Sequence, residues 1–300
     1  MGTPITGVDP GRQSPTEPAA RRVDRDHWAI VGMRAAGRAF QLYHRHRVDG
    51  LEHLTAAMAR GPVLLVGNHC LDLVDPLMLT VAIERATARV MRFIVHGNLF
   101  FEMPVLRTLA PIWGLIPNRH VEMADAALRE DGMLMLYPGS GTEAILRSYR
   151  REPYTLKWDG KLGFVQLAAR HRATLLFVAG VGIDELYYQT DVATPAAMVA
   201  YGNAGDADYY RGARLQIGAA GLHLLPAVLP LPVRVTHVIS PPLTLPRDLD
   251  PDDHEAVEHT QVRLWAEAQA FLDRACATRE SDVVDRGCRS VMGALQRLGV

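Results

Sequence analysis

Cysteine is scarce in this chain. The three present, Cys70, Cys276 and Cys288, are odd in number and far apart. That spacing argues against a disulfide framework and for reduced thiols in a cytosolic setting. No C-x-x-C pair marks a zinc site, and no metal is expected. Lysine is scarcer still: Lys157 and Lys161 are the only two, and arginine carries nearly all other positive charge. The formal net charge is −1, so no surplus of one sign recommends nucleic acid as a partner. No apolar run approaches the ~18 residues of a membrane span. Residues 1–26 are rich in proline, glycine and charge, without the apolar core of a signal peptide. They read as a disordered leader, and the protein as soluble or peripheral on one face of a membrane.

What is present suffices for a substantial core. Of 300 residues, 48% are hydrophobic, enough for one large domain or two small ones. Helices are expected over His27–His44, from Asp75–Pro76 to about Ala86, over Val121–Glu130 and Leu162–His171, and at about 253–279 and 282–298. Asp75 before Pro76 reads as an N-cap with proline at N1. Apolar runs at 62–67, 90–95, 133–137, 174–181 and 233–239 read as buried strands. Alternation of the two element types predicts an α/β fold with a mixed, largely parallel central sheet flanked by helices. Residues 186–230 read as an insertion that shapes a pocket or touches lipid. The apolar segment Asn98–Gly114 fits either core packing or an acyl-chain groove. The first helix either packs on the domain or lies on a lipid surface.

The chemistry concentrates where strands end. Pro62–Val66 delivers Asn68, His69 and Cys70 to the carboxyl end of a buried strand, where open α/β sheets place their ligands. Asp72 and Asp75 follow. A histidine with a carboxylate partner serves as a general base near neutral pH, with Asp75 the first choice as partner and Asp72 the second. A lone histidine after a strand is more often structural, and Asp75 has its capping role as a competing explanation. Cys70 reads as a small buried hydrophobe. The 133–137 strand ends in Pro138-Gly139-Ser140-Gly141-Thr142-Glu143, whose glycines allow backbone amides near an anion or oxyanion. Glu143 reads otherwise as a solvated residue in a helix's first turn. Arg119, in Gly114-Leu115-Ile116-Pro117-Asn118-Arg119, is a candidate anion contact.

These three segments, in this order, resemble the glycerolipid acyltransferase superfamily: a His-Asp motif, a Gly…Arg loop, then a strand ending in Pro-Gly and a Glu. Tyr137-Pro138-Gly139, followed by Lys161–Ala168 and Arg170-His171, looks like the branch that includes diacylglycerol-acyltransferase-like proteins. Val48–Leu54 looks like the stretch preceding the first strand in many members. The resemblance covers roughly residues 47–275. It implies an acyltransferase domain over 27–280, carrying the 186–230 insertion, and a C-terminal helix over 281–300. It also implies transfer of a fatty acyl group from acyl-CoA or an acyl-carrier protein to a lipid hydroxyl, with neither cofactor nor covalent acyl-enzyme. His69 would be the base and Asp75 or Asp72 its orienting acid. Asn68, Arg119, Pro138, Gly139, Gly141, Thr142 and Glu143 would line the substrate side. The implied partners are acyl-CoA, a lipid acceptor and a membrane surface, with the protein cytoplasmic and peripheral on the inner face.

Three departures from the family pattern stand out. Val74 holds the common Asp position, four residues after the His, and Asp75 comes one later. Thr142 stands where an Arg often precedes the Glu, which leans toward a neutral lipid alcohol as acceptor. The 174–181 strand lacks the prolines that are common there. A hydrolase using the same pair on water and a non-catalytic lipid-binding protein remain the rival readings.

Overall fold

The computed structural model describes residues 23–70, 73–96, 100–101, 106–146, 150, 152–193, 214–223 and 229–299. The central sheet has seven strands: β1 (Arg47–Asp49), β2 (Val63–Gly67), β3 (Arg92–Val95), β4 (Leu115–Pro117), β5 (Met133–Leu136), β6 (Thr174–Val181) and β10 (Thr236–Ile239). Their order is β1-β10-β6-β2-β5-β3-β4. Only the β10–β6 pairing is antiparallel; the other five are parallel. Helices alternate with the strands: α1 (Trp28–Tyr43), α2 (Leu51–Met58), α3 (Val74–Thr87), α4 (Leu106–Leu109), α5 (Val121–Glu130), α6 (Ser140–Leu146), α7 (Gly163–His171), α8 (His254–Ala277) and α9 (Val283–Arg297). The α/β expectation holds, with two short edge strands, β1 and β4, beyond the five read from apolar runs.

β2 lies in the middle of the sheet and is buried at every position, as a strand covered on both faces must be. Its side chains alternate between two cores. Leu64 and Val66 join Leu134, Phe177 and Phe164 on the face covered by α5, α7 and α8. Val63 and Leu65 join Met135, Leu176 and Leu79 on the face covered by α2 and α3. The crossover from β2 to β3 therefore runs through α3 on one face, and that from β5 to β6 through α6 and α7 on the other. The two connections leave adjacent strands in opposite directions, so the β2–β5 boundary is a topological switch point. Crevices for ligands open at such points, outside the carboxyl ends of the strands.

Residues 186–230 contribute a separate antiparallel sheet, β7 (Tyr188–Ala193), β8 (Arg214–Gly218) and β9 (Gly221–His223), in that order. Helix α1 packs on α3 through Ala29, Ile30 and Gly37, the last leaving room for Val81. Arg34 binds both oxygens of the buried Glu84 at 3.0 and 2.6 Å. The packing reading of this helix is met on that face, while Trp28, Val31 and Leu42 stand exposed. Among the described residues no helix is long and apolar enough to cross a membrane.

Two histidines, His44 fully buried and His46 half-buried, make stability pH-dependent. Burial pushes the His44 imidazole down to about 4, although the Val233 carbonyl opposes this. Burial pushes His46 to about 2, with His237 and His44 adding to the effect. Both rings are neutral in the fold yet protonate below about pH 6.5 once unfolded. The unfolded chain therefore binds more protons in that range, and stability falls as pH falls. We expect the unfolding free energy to be level above about pH 6.5. Below it, His44 alone should remove on the order of 3 kcal/mol by pH 4. Urea titrations from pH 7.5 to 4 should show the decline, and His44→Asn should reduce its slope.

Candidate active site

The β2 strand ends at Gly67, and the three residues after it are placed by different means. Asn68 is fully buried and continues the β2–β6 ladder with its side chain. Its Nδ2 donates to the Gly180 carbonyl at 2.9 Å, and its Oδ1 accepts from the Gly180 amide at 2.7 Å. Its role is therefore to fix the strand end, and it does not line the cavity described below. His69 is held at the main chain: its amide donates to Glu143 Oε1 at 2.6 Å. The His69 ring lies flat on Tyr137, with centroids 4.4 Å apart and planes 4° from parallel. Cys70 reaches the same cavity as His69, because both lie beyond the strand, where side chains no longer alternate.

Glu143 is fully buried, not solvated in a first helical turn. Its second oxygen accepts from the Lys157 amide at 3.1 Å. One carboxylate thus ties the His69 loop to the segment leading into α7. Gly139 makes this possible, since a Cβ there would fall 2.1 Å from Glu143 Oε2. The Pro138–Glu143 turn closes largely on itself: Ser140 donates to the Tyr137 carbonyl at 2.9 Å and Glu143 to the Gly139 carbonyl at 3.1 Å. Pro138 and Gly141 face the cavity, and Thr142 is half-buried beside them.

Asp75 does not cap α3. The helix begins at Val74, and Asp75 lies inside its first turn, 1% exposed. Among the described residues its hydrogen-bond partners are His237 Nε2, at 2.5 Å, and the Tyr137 hydroxyl, at 3.3 Å. The expected direct bond from Asp75 to the His69 ring is therefore absent; the two meet through Tyr137. Burial raises the Tyr137 phenol well above its ordinary value, and the Asp75 carboxylate adds to this, so the phenol is protonated and donates. Asp72 lies outside the described residues. Arg119 is exposed in the turn between β4 and α5 and is not among the cavity-lining residues.

A cavity of about 1140 Å³ opens on His69. It is walled by apolar side chains, among them Met33 of α1, Leu77 of α3, Phe93 of β3, and Phe100, Leu109 and Trp113. The apolar 98–114 segment thus lines a groove where it is described. Polar side chains are in the minority: besides His69 and Tyr137 they include Thr80 and Ser140, His96 and Asn118 at the ends of β3 and β4, His120 beyond them, and Lys161, Gln166 and Arg170 at the α7 side. No described residue of the 186–230 insertion reaches it. Among the described residues no group of three or more His, Cys, Asp or Glu side chains is placed to hold a metal ion.

His46, His96 and His237 escaped the sequence reading. His237 lies 162 positions from Asp75 in the chain, so no local spacing could pair them. His96 ends a strand as His69 does, and that shared placement was the available signal.

No curated protein matches the chain. Residues 45–181, from just before β1 to the end of β6, match the family model described as Acyltransferase, and that domain belongs to the glycerolipid acyltransferase superfamily.

Proposed function

We propose that this protein is an O-acyltransferase that moves a fatty acyl group from acyl-CoA to a lipid hydroxyl, with His69 as general base. The observation that carries this reading is the placement of His69. It lies two residues beyond the central strand of an acyltransferase domain and faces a large, mostly apolar cavity. His69 takes the acceptor's hydroxyl proton as the oxygen attacks the thioester carbonyl. The tetrahedral intermediate then collapses, expelling the thiolate of CoA, which receives the proton. No bond to the enzyme forms. The cavity exceeds the roughly 300–1,000 Å³ usual for small-ligand sites, as an acyl chain and a lipid acceptor together require.

The acceptor in this reading is a neutral lipid alcohol, and the branch the diacylglycerol-acyltransferase-like one. Thr142 supplies no cation, Arg119 does not line the cavity, and the two cations that do, Lys161 and Arg170, lie at the α7 side. Trp28, Leu73 and Val121 line the cavity and are also exposed, which supports work at a lipid surface; the reading places that surface on the cytoplasmic side. The test is mass spectrometry of products from purified protein given mixed acyl-CoAs with and without a panel of lipid alcohols. Acylated alcohol appearing only when alcohol is supplied is the expected result. Free fatty acid in equal amount with and without alcohol would instead establish a hydrolase, and lipid binding without turnover a non-catalytic protein.

A further inference from the structure

We propose that His237 and His46 are positioning residues for His69, acting through Asp75 and Tyr137. This rests on His69 being the base. The four side chains form one continuous path. His46 Nε2 and His237 Nδ1 are 2.7 Å apart. His237 Nε2 is 2.5 Å from Asp75 Oδ1, the Tyr137 hydroxyl is 3.3 Å from Asp75 Oδ2, and the Tyr137 ring lies parallel on His69 at 4.4 Å.

The protons can be placed along it. A carboxylate only accepts, so His237 Nε2 must carry hydrogen toward Asp75. His46 is neutral, because burial disfavours its charged form. It donates from Nε2 to a neutral His237 or accepts from a charged one; both arrangements leave His237 Nε2 protonated. Asp75 therefore receives a donor on each oxygen, and its geometry is fixed from two sides. Tyr137 is fixed in turn, by its main chain at the end of β5 and by its hydroxyl on Asp75.

A ring held this way does two things for its stacked neighbour. It sets the plane of the imidazole without using either ring nitrogen. It also lays an electron-rich face, with a carboxylate behind it, beside the imidazolium that forms during transfer. Among the described residues, the titratable groups around His69 are Cys70 beside it, Tyr137 just after β5, Glu143 of α6 and Asp75 of α3, with His237 of β10 and His46 behind Asp75.

The fold explains the distance in sequence. β10 runs antiparallel to β6 with His237 opposite Gly180, the residue Asn68 grips. β1 runs beside β10 with Val48 opposite His237, which brings His46 alongside. The family match ends at Val181, so His237 is added from the part of the chain beyond it.

The experiment compares wild type with Tyr137→Phe, His237→Gln and His237→Ala. Tyr137→Phe keeps the stack and drops the hydroxyl; His237→Gln keeps a donor at the Nε2 position. Two readouts are taken on folded protein: kcat and KM against pH, and titration of the His69 ring by NMR with labelled histidine, assigned from His69→Ala. Tyr137→Phe and His237→Ala are expected to lower kcat about 10- to 100-fold with KM little changed. Both should lower the His69 ionisation by about one pH unit, and His237→Gln should restore kcat to within about threefold of wild type. An unmoved His69 titration in folded Tyr137→Phe overturns the proposal, whether or not kcat falls. If His237→Ala does not fold, the other two variants decide. If wild type transfers no acyl group, the functional reading fails, and the ring titration alone still decides the relay.

Discussion

Replacing His69 with alanine should abolish acyl transfer, by roughly 10²–10⁴-fold at minimum, and leave the fold in place. The loop holding His69 is fixed through its amide on Glu143 and through Asn68 on Gly180, and neither uses the imidazole. Alanine gives up, among other contacts, the stack on Tyr137, worth about 0.5–1.5 kcal/mol. Circular dichroism should be unchanged and the melting temperature a few degrees lower. Initial rates of product formation, followed by mass spectrometry, then test the proposed proton transfer to His69. Substantial turnover in a folded His69→Ala protein would remove His69 from the mechanism.

Gly139→Ala should damage stability and activity together. The new methyl would fall 2.1 Å from Glu143 Oε2 and 2.7 Å from its Cδ. Either the carboxylate leaves or the turn opens. If Glu143 moves, the amides of His69 and Lys157 lose their acceptor, and each buried unpaired N–H costs about 1–3 kcal/mol. If the turn opens, overpacking costs a similar ~1–3 kcal/mol. We expect a loss of about 2–5 kcal/mol in urea unfolding and a fall in turnover larger than the unfolded fraction explains, because the His69 main chain is no longer pinned. Glu143→Gln should lose less, about 1–3 kcal/mol, since its amide oxygen serves one N–H while its NH₂ faces the other. Wild-type stability in Gly139→Ala would mean that Glu143 is not the strut linking these segments.

Much of this was legible because it depends on local pattern. Val63–Val66 could only be a strand buried on both faces, and a strand of that kind must sit centrally in an α/β sheet. Val121–Glu130 as a helix and the apolar run Thr174–Val181 as a strand follow from local pattern, and the termini of both match the structure. The edge strands β1 and β4 have three residues each, too few for a period to register. They exist because β10 and β3 offer them unpaired ladders. The small β7–β9 sheet likewise depends on pairings between segments that carry no apolar run.

The site divides along the same line. The order of motifs and the position of His69 at a strand end are properties of the chain itself, and they sufficed to indicate the superfamily. Which groups touch is decided by strand order. Asp75 looked like a cap or a direct partner because both are neighbours in sequence; it became the ligand of His237 because β10 is laid beside β6 with its histidine turned toward α3. Glu143 looked solvated because a carboxylate in a helix's first turn usually faces water; it is buried because Gly139 and the amides of His69 and Lys157 make a closed seat for it. Alternation of apolar residues is a one-dimensional signal that sets what is inside. Hydrogen bonds between residues a hundred positions apart are set by register, which only the assembled sheet specifies.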